Sequence, residues 1–179
     1  MTPVSGALRA VLAEAQRIGA IGPGALDRSI EHALQFVACV PHGPVRLIDL
    51  GSGGGLPGLV IADQRPECQV TLVDRRQGRI DQLTRAIRRL GWESRVAAWC
   101  LDMAVVASTH GHEFDVATSR GFGPPSTTLT YALACVRGGG AVVISEPPED
   151  RPERWPEPLP ERVTSSERRG GVRMFHVKP

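Results

Sequence analysis

Residues 45–58 read V-R-L-I-D-L-G-S-G-G-G-L-P-G and constrain the fold more than any other stretch of the chain. The first half, residues 45–50, is a short, mainly apolar run with β-branched Val45 and Ile48, the composition of a buried parallel strand. The second half is a glycine turn opening onto Leu59, Val60, Ile61 and Ala62, which can begin a helix. Pro57 stands near the first helical position, where its fixed φ helps and its missing N–H costs nothing. Gly51, Gly53 and Gly55 let the backbone take positive φ and approach a ligand closely. Strand, glycine loop and helix in that order make a cradle for a nucleotide.

The spacing leaves two nucleotides open. Gly53-x-Gly55-x-x-Gly58 satisfies the dinucleotide fingerprint, which alone is weak evidence for NAD. Asp49, two residues before Gly51, sets negative charge beside the loop and suits a ligand carrying a sulfonium and an amino group better than a pyrophosphate. The D-x-G-x-G pattern resembles the first motif of S-adenosylmethionine (SAM) methyltransferases. A glycine turn with no ligand is the bland alternative.

At 179 residues the chain fits one domain, spanning 1–179, with a full core. We expect residues 1–44 to form a helical cap and residues 45–179 the α/β core. At a net charge of +2 no bulk polyanion-binding composition stands out, and the basic residues are almost all arginine, Lys178 being the one lysine. Cys39, Cys68, Cys100 and Cys135 are scattered without a C-x-x-C pair, so no zinc site or disulfide framework is expected. With no membrane-length apolar run and no secretory leader, the expectation is a soluble cytoplasmic protein with no membrane partner. The oligomeric state is not legible.

Before the cradle, Leu8, Val11, Leu12, Ala15 and Ile18 mark a helix with Ser5 as N-cap and Gly19 as stop. A second helix starts near Leu26, with Ile30, Ala33, Leu34, Val37 and Ala38 on one face. After the cradle, residues 69–74 (Q-V-T-L-V-D) read as the second strand. Its last residue, Asp74, is placed to accept hydrogen bonds from ribose hydroxyls, in SAM and NAD enzymes alike. Residues 77–90 form a helix with Ile80, Leu83, Ile87 and Leu90 buried and Arg79, Arg85, Arg88 and Arg89 outside. Such a run is by default a solvated face, and its alternative is RNA phosphate binding. Residues 95–101 give a third strand, and Asp102 after it is the candidate for the adenine amino group. Residues 114–119 give a fourth strand, residues 126–136 a helix, residues 138–140 a turn and residues 141–145 a fifth strand. Residues 146–160 are left as an irregular, Pro-rich connection. The tail carries strand-like pieces near Val163 and at residues 172–177, read as a terminal antiparallel hairpin. Strands alternating with helices give a doubly wound α/β sheet with the ligand at the carboxyl ends of its strands.

The cradle together with V-T-L-V-D, F-D-V-A-T-S-R and the closing R-M-F-H-V-K resembles the RsmG (GidB) methyltransferases. The resemblance spans roughly residues 26–150 and the tail; L-P-G and S-R are its specific parts. It implies a class I SAM-methyltransferase (Rossmann-like) fold, SAM as cofactor, and methylation of guanine N7 in 16S ribosomal RNA, with that RNA or the small ribosomal subunit as partner. By the same resemblance Gly51 and Leu56 contact SAM, Leu101 and Asp102 flank the adenine, and Arg120 lies at the SAM/substrate mouth. The chain departs from the pattern in a shortened N-terminal helical region, in Gly78-Arg79 for K-R, in Gly121 for alanine, and in Ser145-Glu146-Pro147 where a lysine is usual. The alternatives are a SAM methyltransferase acting on a small molecule and a non-catalytic SAM-binding module.

The residues also weigh against rival chemistries. Cytosine C5 methylation needs a cysteine nucleophile, and Cys100 and Cys135 read as core thiols. The amino-methyltransferase motif D/N-P-P-Y/F is replaced by Ser119-Arg120-Gly121-Phe122. Lysine-dependent ribose methylation lacks its lysines. His110-x-His112 offers two metal ligands near a loop, more often a surface pair.

Overall fold

β1 (Arg46–Leu50) is the axis of the computed structural model, which describes residues 2–149 and 151–179. Met1 and Asp150, inside the span expected of the domain, lie outside the described residues. β1 pairs in parallel with β2 (Gln69–Asp74) on one side and β4 (Phe114–Ser119) on the other. β3 (Val96–Cys100) extends the sheet beyond β2, and β5 (Val136–Ser145) extends it beyond β4, all parallel. β6 (Val163–Arg169) and β7 (Val172–Val177) form the expected hairpin, with β7 antiparallel to β5. The strand order β3-β2-β1-β4-β5-β7-β6 reverses direction at β1, so the connections leave a crevice at the carboxyl ends there. A dinucleotide domain of six parallel strands would lack that antiparallel pair.

Alternation along β1 explains the two helical layers. Leu47 joins the core shared with α1 (Gly6–Arg17), α2 (Leu26–Val37), α3 (Gly58–Gln64) and α4 (Gln77–Leu90). Ile48 and Leu50 point the other way, into the core of α5 (Met103–Thr109) and α6 (Pro125–Cys135). Each fully buried leucine contributes about 1.5–3 kcal/mol, so a one-residue slip of β1 would exchange its faces and misplace all of them. Ser5 caps α1 by accepting from the Leu8 N–H at 3.2 Å, and left-handed Gly91 closes α4.

One sequence expectation needs correction, and one element was not foreseen. Residues 103–109 form α5, which no amphipathic stripe announced: only Met103 and Val106 are buried in its two turns. Residues 138–140 lie within β5, not in a turn before it. The β4–β5 register shifts beside Phe114, and a Cβ on Gly140 would lie 2.5 Å from the Asp115 carbonyl oxygen, so the irregular register needs glycine.

The hairpin turn is clasped by α2. The Gly171 N–H donates to Gln35 Oε1 at 2.6 Å, and His32 Nε2 lies 3.0 Å from the Gly171 carbonyl oxygen. The pairing makes Nε2 the protonated nitrogen of His32. Burial pushes this histidine below its ordinary pKa; the Gly171 carbonyl opposes that and nearby Arg120 adds to it. No helix of the described residues is long and apolar enough to cross a membrane.

Candidate active site

The carboxyl ends of β1, β2 and β3 and the residues after β4 surround a cavity of about 390 Å³. Gly51, Asp74, Leu101 and Asp102 line it, so four of the sequence-derived residues meet there. Gly51 has φ +71°, and a Cβ on it would lie 2.8 Å from Phe122 Cδ2. The loop backbone therefore stays bare on its cavity side, with an aromatic ring against it.

Asp74 is 5% exposed and held on every side. Its Oδ2 accepts from the Gly53 N–H at 3.1 Å and from Arg76 Nη2 at 3.3 Å. Its Oδ1 accepts from the Arg76 N–H at 3.0 Å and from Nε at 3.2 Å. Burial raises the pKa of Asp74, but the bonds from Arg76 and Gly53 outweigh it and hold the group below the usual carboxylate range. The Arg76 side chain is 62% exposed, so incoming hydroxyl donors can displace it without cost to the core. Asp102 is the N-cap of α5: its Oδ1 accepts from the Ala104 N–H at 2.9 Å, and among the described residues no donor meets Oδ2.

Asp49, Gly53, Gly55 and Leu56 lie outside that cavity's lining and build its frame. Asp49 is fully buried on the α3 side of the sheet. Its Oδ1 accepts from Thr118 Oγ1 at 2.8 Å, in register across β4, and its Oδ2 accepts from the Gly58 N–H at 3.2 Å. Burial pushes its pKa up to about 6, against the pull of Thr118, Gly58 and the Arg120 guanidinium. Gly53 donates to Asp74, the Gly55 N–H closes onto the Ser52 carbonyl at 2.7 Å, and Leu56 is buried in the core. Ser52, which sequence reasoning passed over, ties the loop to both strands. Its hydroxyl donates to the Asp49 carbonyl at 2.9 Å and accepts from the Val73 N–H at 3.1 Å.

Arg120 lines a second cavity of about 630 Å³, which meets the first at Gly121. Its Nη1 and Nη2 donate to the carbonyl and the hydroxyl of Ser29 on α2, at 3.2 and 3.3 Å. Burial lowers its pKa, and the Asp49 carboxylate partly restores it. His32, Arg151 and Arg154 share this cavity with Glu146 and Glu153, so its wall mixes guanidinium groups with carboxylates.

That wall is anchored on Glu146, buried and invisible to a reading that left residues 146–160 as an irregular connection. Its Oε1 accepts from Trp155 Nε1 at 2.7 Å and Arg173 Nε at 2.6 Å, and its Oε2 from Arg154 Nη1 at 2.8 Å. A short 3₁₀ turn, Pro152–Arg154, carries the chain into this cluster. The alternation of charge and proline gave no period from which to find it.

No cysteine or lysine among the described residues lines either cavity. Cys135 lies in the core, where burial pushes its thiol up to about 11. His110 turns to Glu113 and stacks on Trp99, while His112 meets the Val136 carbonyl, so the two rings share no ligand direction. The arrangement offers buried acceptors for hydroxyl and amino donors in one cavity and guanidinium groups for an anion in the next.

Comparison with known proteins agrees with this geometry. The family model described as GidB, rRNA small subunit methyltransferase G, matches residues 21–151. The ribosomal RNA small subunit methyltransferase G of Mycobacterium sp. (strain KMS) is 36% identical over 129 residues, covering 70% of this chain and 56% of the relative. That of Rhizorhabdus wittichii is 42% identical over 108 residues, 59% of this chain and 48% of the relative. The chain thus spans about half the length of the curated relatives it matches. Among solved structures, a protein from Corynebacterium glutamicum superposes with a TM-score of 0.68 at 16% identity, covering 100% of this chain and 93% of that one. A methyltransferase from Geobacter sulfurreducens gives 0.66 at 13%, covering 100% and 91%. At those identities the likeness concerns the fold: a class I methyltransferase (Rossmann-like) sheet.

Proposed function

Because the chain belongs to the rRNA small subunit methyltransferase G (GidB) family, we propose that it is a SAM-dependent methyltransferase acting on guanine N7 in 16S ribosomal RNA. The observation that carries this reading is the junction at Gly121 of a cavity that presents the Asp74 and Asp102 carboxylates and a cavity that holds the Arg120 guanidinium. SAM, when bound, supplies a methyl group on a cationic sulfur.

The residues present fit that group. Asp74 offers acceptors to ribose hydroxyls once Arg76 swings aside, and Asp102 keeps one carboxylate oxygen for an amino group. Leu101 and Met103 give an apolar surface for a base. Gly51 leaves open backbone where a side chain would collide with Phe122. Asp49, behind the loop, lends negative charge through the backbone it braces. Guanine N7 carries a free lone pair, so no base has to remove a proton first. The protein's task is then orientation and a fixed electrostatic field. Arg120, held by Ser29 at the junction, can present its guanidinium to an RNA phosphate or the guanine O6 edge. A ribosomal substrate places the protein in the cytoplasm with the small subunit as its partner.

Two measurements test this. Mass spectrometry of small-subunit RNA nucleosides from cells with and without the protein should show 7-methylguanosine only with it. Calorimetry should show SAM binding more tightly than NAD; the reverse order would end the methyltransferase reading.

A further inference from the structure

Away from both cavities, a cleft of about 290 Å³ runs between α1 and α4. Val11 and Ala86, both buried, form its apolar floor, and Ile18 stands beside them 44% exposed. Gln82 also lines it. That residue is only 8% exposed, yet among the described residues its Oε1 has no hydrogen-bond partner and no group holds its carboxamide. A buried amide oxygen left unpaired is uncommon and calls for an explanation. Arg85 and Arg89 complete the rim, and among the described residues no carboxylate lies within ion-pair distance of either. Glu14, the one acidic residue there, is engaged by Arg17 at 2.7 Å. Arg79 Nη2 donates to the Gly19 carbonyl at 2.8 Å and so fixes the end of α1 against α4.

We propose that this cleft binds an unpaired nucleotide of the RNA substrate. A flat base suits the aliphatic surface of Ile18 and Ala86. A carboxamide free to turn over can give a base edge one acceptor and one donor, the pairing glutamine makes with adenine. The two guanidinium groups match a phosphate on the same nucleotide. The cleft is at the small end of ligand pockets, large enough for a single base. Arg76, which lines the cofactor cavity, directly precedes α4, so Gln82 and Arg89 lie about 9 and 20 Å further along the helix.

The inference rests on the RNA-methyltransferase reading, and its test separates the two. Fluorescence anisotropy at low salt would compare labelled single-stranded RNAs of about ten nucleotides, one rich in adenine and one in uracil. The proteins are the full chain, Gln82→Leu, and the double variant Arg85→Ala/Arg89→Ala. Gln82→Leu removes an unpaired amide from the interior, so its melting temperature should hold or rise and its SAM affinity should stay unchanged. Its adenine-rich RNA binding should weaken by roughly tenfold and lose its preference over uracil. The double arginine variant should lower the slope of log K against log salt by about 1.4, as for two lost phosphate contacts on a single strand. If the unaltered protein binds RNA and both variants bind it equally well, the cleft is not a nucleotide site, and the methyltransferase reading stands. If the unaltered protein binds SAM but neither RNA, the RNA acceptor fails and the cleft proposal falls with it.

Discussion

Replacing Asp49 by asparagine tests whether a charge is buried beneath the glycine loop. Asp49 is fully buried, and its pKa rises from 3.8 to about 6 because burial penalises the charged form. The folded state therefore holds its proton more tightly than the unfolded chain. The associated stability is fully present below the unfolded value and is lost as pH rises through the folded value near 6. At about 1.36 kcal/mol per pKa unit, the gap from 3.8 to about 6 amounts to about 3 kcal/mol. Asparagine can keep both bonds, with Oδ1 accepting from the Gly58 N–H and Nδ2 donating to Thr118 Oγ1. It cannot ionise. Urea unfolding of both proteins at about pH 4 and about pH 7.5 should show the wild type losing about 2.5 kcal/mol relative to Asp49→Asn over that interval, the rest of the gap being lost below about pH 4. Near the melting point this is a relative shift of roughly 5–10 °C. Carboxylates with lowered pKa, such as Asp74, act in the opposite direction but are common to both proteins and cancel. A difference between the two that stays flat with pH would refute the buried titration.

Three further substitutions probe the site and its supports. Asp74→Ala should weaken SAM binding by about 1–3 kcal/mol in calorimetry, since it removes the acceptor facing the cavity; an unchanged dissociation constant would show that Asp74 serves only Arg76 and Gly53. Arg120→Lys keeps the charge but loses the fork on Ser29, so turnover should fall at least about tenfold while the melting temperature moves by less than about 4 °C. Full activity in that variant would place the acceptor elsewhere. Glu146→Gln deprives Arg154 and Arg173 of their shared counter-charge and should destabilise the fold by about 3–5 kcal/mol in urea unfolding; a loss below about 1 kcal/mol would mean that the cluster adds nothing over water.

The sheet was legible because its strands are apolar runs ending in residues of known use: β2 ends at Asp74 and β4 leads into Arg120. Gly51, Asp74 and Asp102 followed from position, since strand ends in such a sheet converge on one crevice, and Leu101 followed from the family resemblance. What stayed hidden has three causes. Ser52 and Thr118 carry their meaning in hydrogen bonds to partners a strand away, which no local period encodes. Glu146, Trp155 and Arg173 meet through tertiary folding, so their proximity is absent from the spacing of the sequence. α5 escaped for a third reason, being too short for a helical stripe to rise above chance.

The clasp between α2 and the hairpin turn bears on how the two halves of the molecule move. Ser29, His32 and Gln35 stand three residues apart, so they share one face of the helix. That face holds Arg120 through Ser29 and the tail through the other two. α2 thus works as a beam with two bearings, and a displacement of the turn tips the guanidinium at the junction. The glycine at 171 is the tight bearing, since a Cβ there would lie 2.9 Å from the His32 ring. A bulky residue at 171 would press first on His32 and Gln35 and, along α2, reach Ser29 and the Arg120 it holds, although the two ends are far apart along the chain.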